Sequence, residues 1–137
     1  IPTDKIQILY AAENMNKTIE YGVTFERGVC VHHSGYKQIY ISGTASIDTK
    51  GDVLHIGDIK GQVRRMTENV NALLVEAGCK WDDIAQATVY LRDIADYEVA
   101  YNELSKIMPD GQFIIVQAPV CRPTWLIEME AIAIGKE

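Results

Sequence analysis

The chain has 137 residues, 47% of them hydrophobic and 23% charged, and carries a formal net charge of −6. That composition belongs to one folded domain rather than a disordered segment, and the length allows roughly two-thirds of the unfolded surface to be buried. Apolar runs such as Phe113 to Val116 fall far short of the about 20 residues of a membrane-spanning helix, and the basic residues cluster only at Lys60, Arg64 and Arg65, so neither membrane nor nucleic-acid partners are expected.

The N-terminus, IPTDKIQILYAAENMNKTIEYG, lacks the basic start and apolar stretch of a signal peptide. Cys30, Cys79 and Cys121 are scattered, odd in number and at no metal-ligand spacing, which reads as reduced thiols in a cytoplasm and no metal site.

In chain order, residues 1 to 20 have weak periodicity and two turn signals, Asn14 and Asn16, and read as an irregular lead-in. Val23 to Val31 is strand-like, Ser34-Gly35 supplies hairpin chemistry, and Gln38 to Gly43 is a second strand. After a loop marked by Asp48, Gly51, Asp52 and Gly57, Asp58 is a good N-cap. The helix it starts runs to about Ala77, because Ile59, Val63, Met66, Val70, Leu73, Leu74 and Ala77 recur at three- and four-residue steps. Gly78 ends it. Asp83 to Asp93 is a third strand, Ala95 to Ile107 a second helix, and Gln112 to Gln117 and Trp125 to Ile134 the last two strands, with APVCRP as the turn between them.

The order ββαβαββ predicts a single α+β domain over residues 1–137, a mixed sheet with two helices on one face. Ile39, Tyr40 and Ile41, and Phe113 to Val116, are apolar at both parities, so the other face needs a cover as well. With no spare helices in the chain, the economical cover is another copy of itself, which predicts a homo-oligomer.

Within the last strand, alternation puts Glu128 and Glu130 on the same side as Leu126, Ile132 and Ile134. An unpaired buried charge costs several kcal/mol, whereas an exposed ion pair contributes only about 0 to 1. Arg122, in a turn between Pro119 and Pro123, is a ready counter-charge. The spacing leaves two readings open: an exposed strand end protected by a surface salt bridge, or a small carboxylate-binding cleft where Arg122 grips the substrate and a glutamate moves a proton.

Several stretches together resemble the Rid family, also called the YjgF family, of trimeric imine and enamine deaminases. They are ISGTASI (Ile41 to Ile47), GDIKGQVRRMTENVNALLVEAG (Gly57 to Gly78), ATVYLRDIADY (Ala87 to Tyr97), Arg122 after its turn, and EMEAIAI (Glu128 to Ile134), spanning about residues 20 to 134. The resemblance implies a chorismate-mutase-like protomer, a homotrimer whose sheets form an inner barrel, clefts between subunits, a small carboxylate-bearing substrate and no cofactor. By position, Arg122 matches the arginine that binds the substrate carboxylate, Glu128 the acid near the hydrolytic water, and Ser42 and Gly43 cleft-lining residues. Phe25 stands where active deaminases usually have a tyrosine, Tyr101 replaces a usual asparagine, and the link from Arg122 to Glu128 is shorter than theirs.

VCRPTWLIEME also resembles a segment of the chorismatases, which carry an additional N-terminal half. That likeness implies an acid role for Glu128 toward an enol ether, a carboxylate clamp at Arg122 and a pocket-lining Cys121. Trp125, between Arg122 and Glu128, is placed to form a wall. His32 and His33 adjoin a turn and lack partners at ligand spacing, and His55 reads as a solvated loop residue. Gly51, Gly57 and Gly61 do not make a phosphate loop. The expectations are therefore a Rid-like hydrolase or deaminase, then a chorismatase-like enol-ether hydrolase, then a non-catalytic ligand-binding module. Members of the family also carry an endoribonuclease label, to which an acidic chain is poorly suited.

Overall fold

A computed structural model describes residues 1–137. The strands are β1 (Ile6–Leu9), β2 (Gly28–His32), β3 (Tyr36–Thr44), β4 (Ile84–Leu91), β5 (Phe113–Gln117) and β6 (Ile127–Lys136), and the helices are α1 (Ile59–Glu76) and α2 (Tyr97–Ile107). One six-stranded sheet has the order β1-β2-β3-β6-β4-β5, antiparallel except for the parallel pair of β4 and β5.

Two expectations need correction. The lead-in is not irregular throughout: Ile6–Leu9 forms an edge strand on β2, with Ile6 opposite Val31 and Leu9 opposite Gly28. Four residues of which only Leu9 is buried offer no alternation to read. Conversely, β2 begins at Gly28 and not near Val23, because residues 23–27 leave the regular ladder and are held across the gap by Ser42, whose N–H donates to Arg27 O and whose Oγ donates to Glu26 O.

The first helix follows its sequence signals closely. Asp58 accepts from Gly61 N at 3.0 Å, and Gly78 takes the left-handed φ of +69° that stops the helix. Its apolar stripe, Val63, Met66, Val70, Leu73 and Leu74, is fully buried against the sheet together with Ala100 and Leu104 of α2. The sheet answers with Ile39, Ile41, Ala87, Val89, Leu91, Ile127, Met129, Ala131 and Ala133, every one facing the helices.

The opposite face stands open. Tyr40 and Ile132 pair across β3 and β6 on that side, beside Glu128, Glu130, Thr88 and Tyr90, and Ile114 and Ile134 remain exposed there at 60% and 46% of their surfaces. The register gives this face its polar end. Ile41 is opposite Ala131 but Thr44 is opposite Met129, so β3 carries one extra residue, a bulge at Ser42-Gly43 beside Glu130.

Met129 is wholly buried between β3 and β4 under the helices. Its replacement by Ala is expected to cost about 2–5 kcal/mol, seen as a lower urea midpoint with an unchanged slope.

Candidate active site

At the bulged end of the open face lies a cavity of about 650 Å³. Its lining includes Phe25, Ser42, Gly43, Cys121, Arg122, Trp125, Glu128 and Glu130, all singled out from the sequence, and Tyr21, Val23 and Arg27. Tyr101 does not line it. It sits on α2, stacked on Tyr97 at 5.9 Å and tilted against Phe113 at 5.8 Å. His55 does not line the cavity, and His32 pairs with Glu137 and Gln7 elsewhere. No cluster of three or more His, Cys, Asp or Glu side chains is arranged to hold a metal ion.

Arg122 and Glu128 face the same space but are not paired. Arg122 donates to the Gly51 carbonyl at 2.6 Å, and its guanidinium lies over the rings of Tyr21 at 4.9 Å and Trp125 at 5.0 Å. Two aromatic faces and a carbonyl thus stabilise the cation, with no carboxylate as ion-pair partner. The surface salt bridge that spacing allowed does not form.

Glu128 is half-buried and its carboxyl group accepts no hydrogen bond from the protein. Burial pushes its pKa up, and the nearby charge of Glu130 pushes the same way. Glu130, by contrast, is exposed, and Tyr90 Oη donates to it at 2.7 Å. That bond raises the pKa of Tyr90, which keeps the phenol a donor. Across the cavity, the bulge brings Gly43 against the Glu128 carboxylate, where any side chain would meet Oε1. Ser42 Oγ is engaged, donating to Glu26 O at 2.6 Å and so holding the segment that carries Phe25 and Arg27.

The turn bearing Arg122 is fixed by two residues that sequence reasoning did not assign to it. Arg92 donates to the carbonyls of Val120, Arg122 and Trp125 at 2.7 to 2.9 Å. From α1, Gln62 donates to Thr124 O and accepts from Leu126 N, both at 2.9 Å. A wholly buried glutamine inside the apolar stripe was the available signal, since such a side chain must find partners. Arg92 carried none.

An open-sheet α+β domain with a polar cavity at one end of the sheet, an unpaired guanidinium and a partly desolvated carboxyl, defines a small-molecule-binding class of protein. The profile of the family described as Endoribonuclease L-PSP matches residues 24–135, and the chain belongs to that family. A RutC family protein of Pyrococcus abyssi is 37% identical over 97 residues, 69% of this chain and 76% of that one. The 3-aminoacrylate deaminase RutC of Acinetobacter baylyi is 31% identical over 97 residues, 69% and 77% of the two chains. Among solved structures, a protein of the conserved Rid family from Yersinia pestis superposes with a TM-score of 0.76 at 21% identity, covering 93% of this chain and 98% of that one. The Rid resemblance seen in the motifs is borne out, as is the fold it implied.

The raised pKa of Glu128 has a definite sign for stability. The folded state holds this proton more tightly than the unfolded chain, so the contribution is complete below the ordinary glutamate range. It is lost as pH rises through the higher value of the folded state. Glu128→Gln should therefore be more stable than the parent at pH 7, with the difference closing toward pH 4 in parallel denaturation curves.

Proposed function

We propose that the protein is a cofactor-independent Rid-type hydrolase that deaminates a small carboxylate-bearing imine or enamine, in a cleft completed by a neighbouring subunit of a homotrimer. The observation that carries this reading is the pair of unpaired groups in one cavity, the Arg122 guanidinium and the Glu128 carboxyl with its raised pKa. The 31% identity to a 3-aminoacrylate deaminase supports the reaction class. The open apolar face supports the oligomer, and Tyr101 would reach the cleft only from a neighbouring copy.

The chemistry follows from the two charges. Arg122 holds the substrate carboxylate through its fork of donors, which orients the double bond. Protonated Glu128 delivers its proton to the nucleophilic carbon of the enamine, leaving an iminium and a carboxylate. Glu128 then takes a proton from the water that adds to the iminium carbon. Collapse of the carbinolamine expels ammonia and leaves the keto or aldehyde acid. Because protonation at carbon is also the first step of enol-ether hydrolysis, and Cys121 and Trp125 line the cavity, an enol ether is the second reading. A protein that binds carboxylates and turns nothing over would be the third.

Freshly generated 2-aminoacrylate, 3-aminoacrylate and chorismate, each followed for ammonia or pyruvate release against buffer alone, separate the three readings. No acceleration of either aminoacrylate would overturn the first. Glu128→Gln should lower kcat by about 10²- to 10⁴-fold. Activity of the parent should fall as pH rises through the raised pKa of Glu128, since the acid form is the reactive one.

Gly43→Ala tests positioning. The added methyl meets the mobile end of Glu128 rather than backbone. The melting temperature should stay within a few degrees while kcat/KM falls by about 10²-fold, the effect of a carboxyl displaced by about 1 Å.

A further inference from the structure

The cavity holds two cations, of which Arg122 is one. Arg27 also lines it and is only 5% exposed. Its Nε and Nη2 donate to Asn16 O at 3.3 and 3.1 Å, and Nη2 also donates to Asn16 Oδ1 at 3.1 Å and to Tyr21 Oη at 3.3 Å. Nη1 has no protein acceptor, and no carboxylate lies within ion-pair distance. A guanidinium buried to this degree with only neutral partners is costly, because neutral acceptors and an aromatic face replace only part of its hydration.

The geometry relates this charge to the first. Arg27 lies over the ring of Tyr21 at 5.3 Å and Arg122 over the same ring at 4.9 Å, so one aromatic side chain links two guanidiniums. The only carboxyl groups lining the cavity are Glu128 and Glu130, and Glu130 is occupied by Tyr90. With Glu128 protonated, two cations face one carboxylate. A substrate with a single negative charge satisfies one guanidinium and leaves the other buried and uncompensated.

We infer that Arg27 is a second anion-binding residue and that the preferred substrate is a dicarboxylate, an imine or enamine carrying one carboxylate for Arg122 and another for Arg27. This rests on the deaminase reading for the reaction but not for the binding. The reaction balances as before: water adds to the C=N carbon, ammonia leaves, and both carboxylates are unchanged. Tyr21, between the two cations, acts as a positioning residue that sets the separation of the two carboxylate subsites.

Two measurements test this. The first is binding of unreactive acids to the intact protein by calorimetry, with succinate and glutarate compared with propionate and butyrate. A dicarboxylate should bind about 10- to 100-fold more tightly, the effect of one additional charge-assisted contact. Arg27→Gln should shrink that ratio to within about threefold, and Arg27→Lys should restore part of it. The second is hydrolysis of iminosuccinate against 2-iminopropanoate, generated in place by amino-acid oxidases. The ratio of kcat/KM should favour iminosuccinate about tenfold or more and fall in Arg27→Gln.

Equal binding of mono- and dicarboxylates by the parent protein would overturn the inference, whether or not the Arg27 variants fold. So would a dicarboxylate preference that survives in folded Arg27→Gln. If neither imine is hydrolysed but succinate binds through Arg27, the deaminase reading fails while the two-cation site stands.

Discussion

The site depends on keeping Arg122 and Glu128 apart. A guanidinium within ion-pair distance would stabilise the glutamate anion and lower its pKa, which would abolish any use as an acid near neutrality. Here Arg122 is drawn instead toward Gly51 O and the faces of Tyr21 and Trp125. Glu128 is left with burial and the like charge of Glu130 as its surroundings, and both favour the protonated form. The guanidinium and the carboxyl in one cavity thus stay unpaired with each other.

That separation is maintained by the way the chain is tied around the cavity. The turn after β5 has no regular ladder, yet three of its carbonyls accept from the single guanidinium of Arg92, at the end of β4. Gln62 bonds the same turn from α1, and Ile127, the first residue of β6, is in register with Leu91. The position of Arg122 therefore follows from the packing of α1 on the sheet, not from its own short loop. On the other side, the β3 bulge at Ser42-Gly43 sets how near the backbone comes to Glu128. The two halves of the site are tied to the same core.

Much of the fold was legible because its elements are long or strongly patterned. The α1 stripe and its Asp58 and Gly78 ends, the Ser34-Gly35 hairpin and the shared face of Glu128 and Glu130 all follow from periodicity and turn chemistry. The resemblances pointed to Arg122, Glu128, Ser42, Gly43, Phe25 and Cys121, and all six line one cavity. Edge strand β1 was illegible because a four-residue strand with one buried residue carries no period. Arg27 and Arg92 were illegible because an arginine at a strand end looks the same whether it faces solvent or a ring of carbonyls. Only the tertiary positions of Asn16, Tyr21 and the 120–125 turn supply their partners. Tyr101 shows the converse, a position matched by family likeness that a single protomer does not bring to the cavity.

Aromatic side chains have a larger part in this cavity than hydrophobic lining alone. A carboxylate beside Arg27 or Arg122 would neutralise the cation but would also compete with any anionic ligand for the same donors. A ring face stabilises a guanidinium by about 0.5 to 2 kcal/mol and leaves its in-plane N–H groups free to donate. Tyr21 does this for both arginines and Trp125 for one. The missing hydroxyl at Phe25 thus lies in a wall that already has Tyr21 Oη, although that oxygen is committed to Asn16 and Arg27 and not to a ligand. Charge in the cavity is concentrated in two guanidiniums and two carboxyl groups, of which Glu130 is held by Tyr90 and Glu128 is left unpaired.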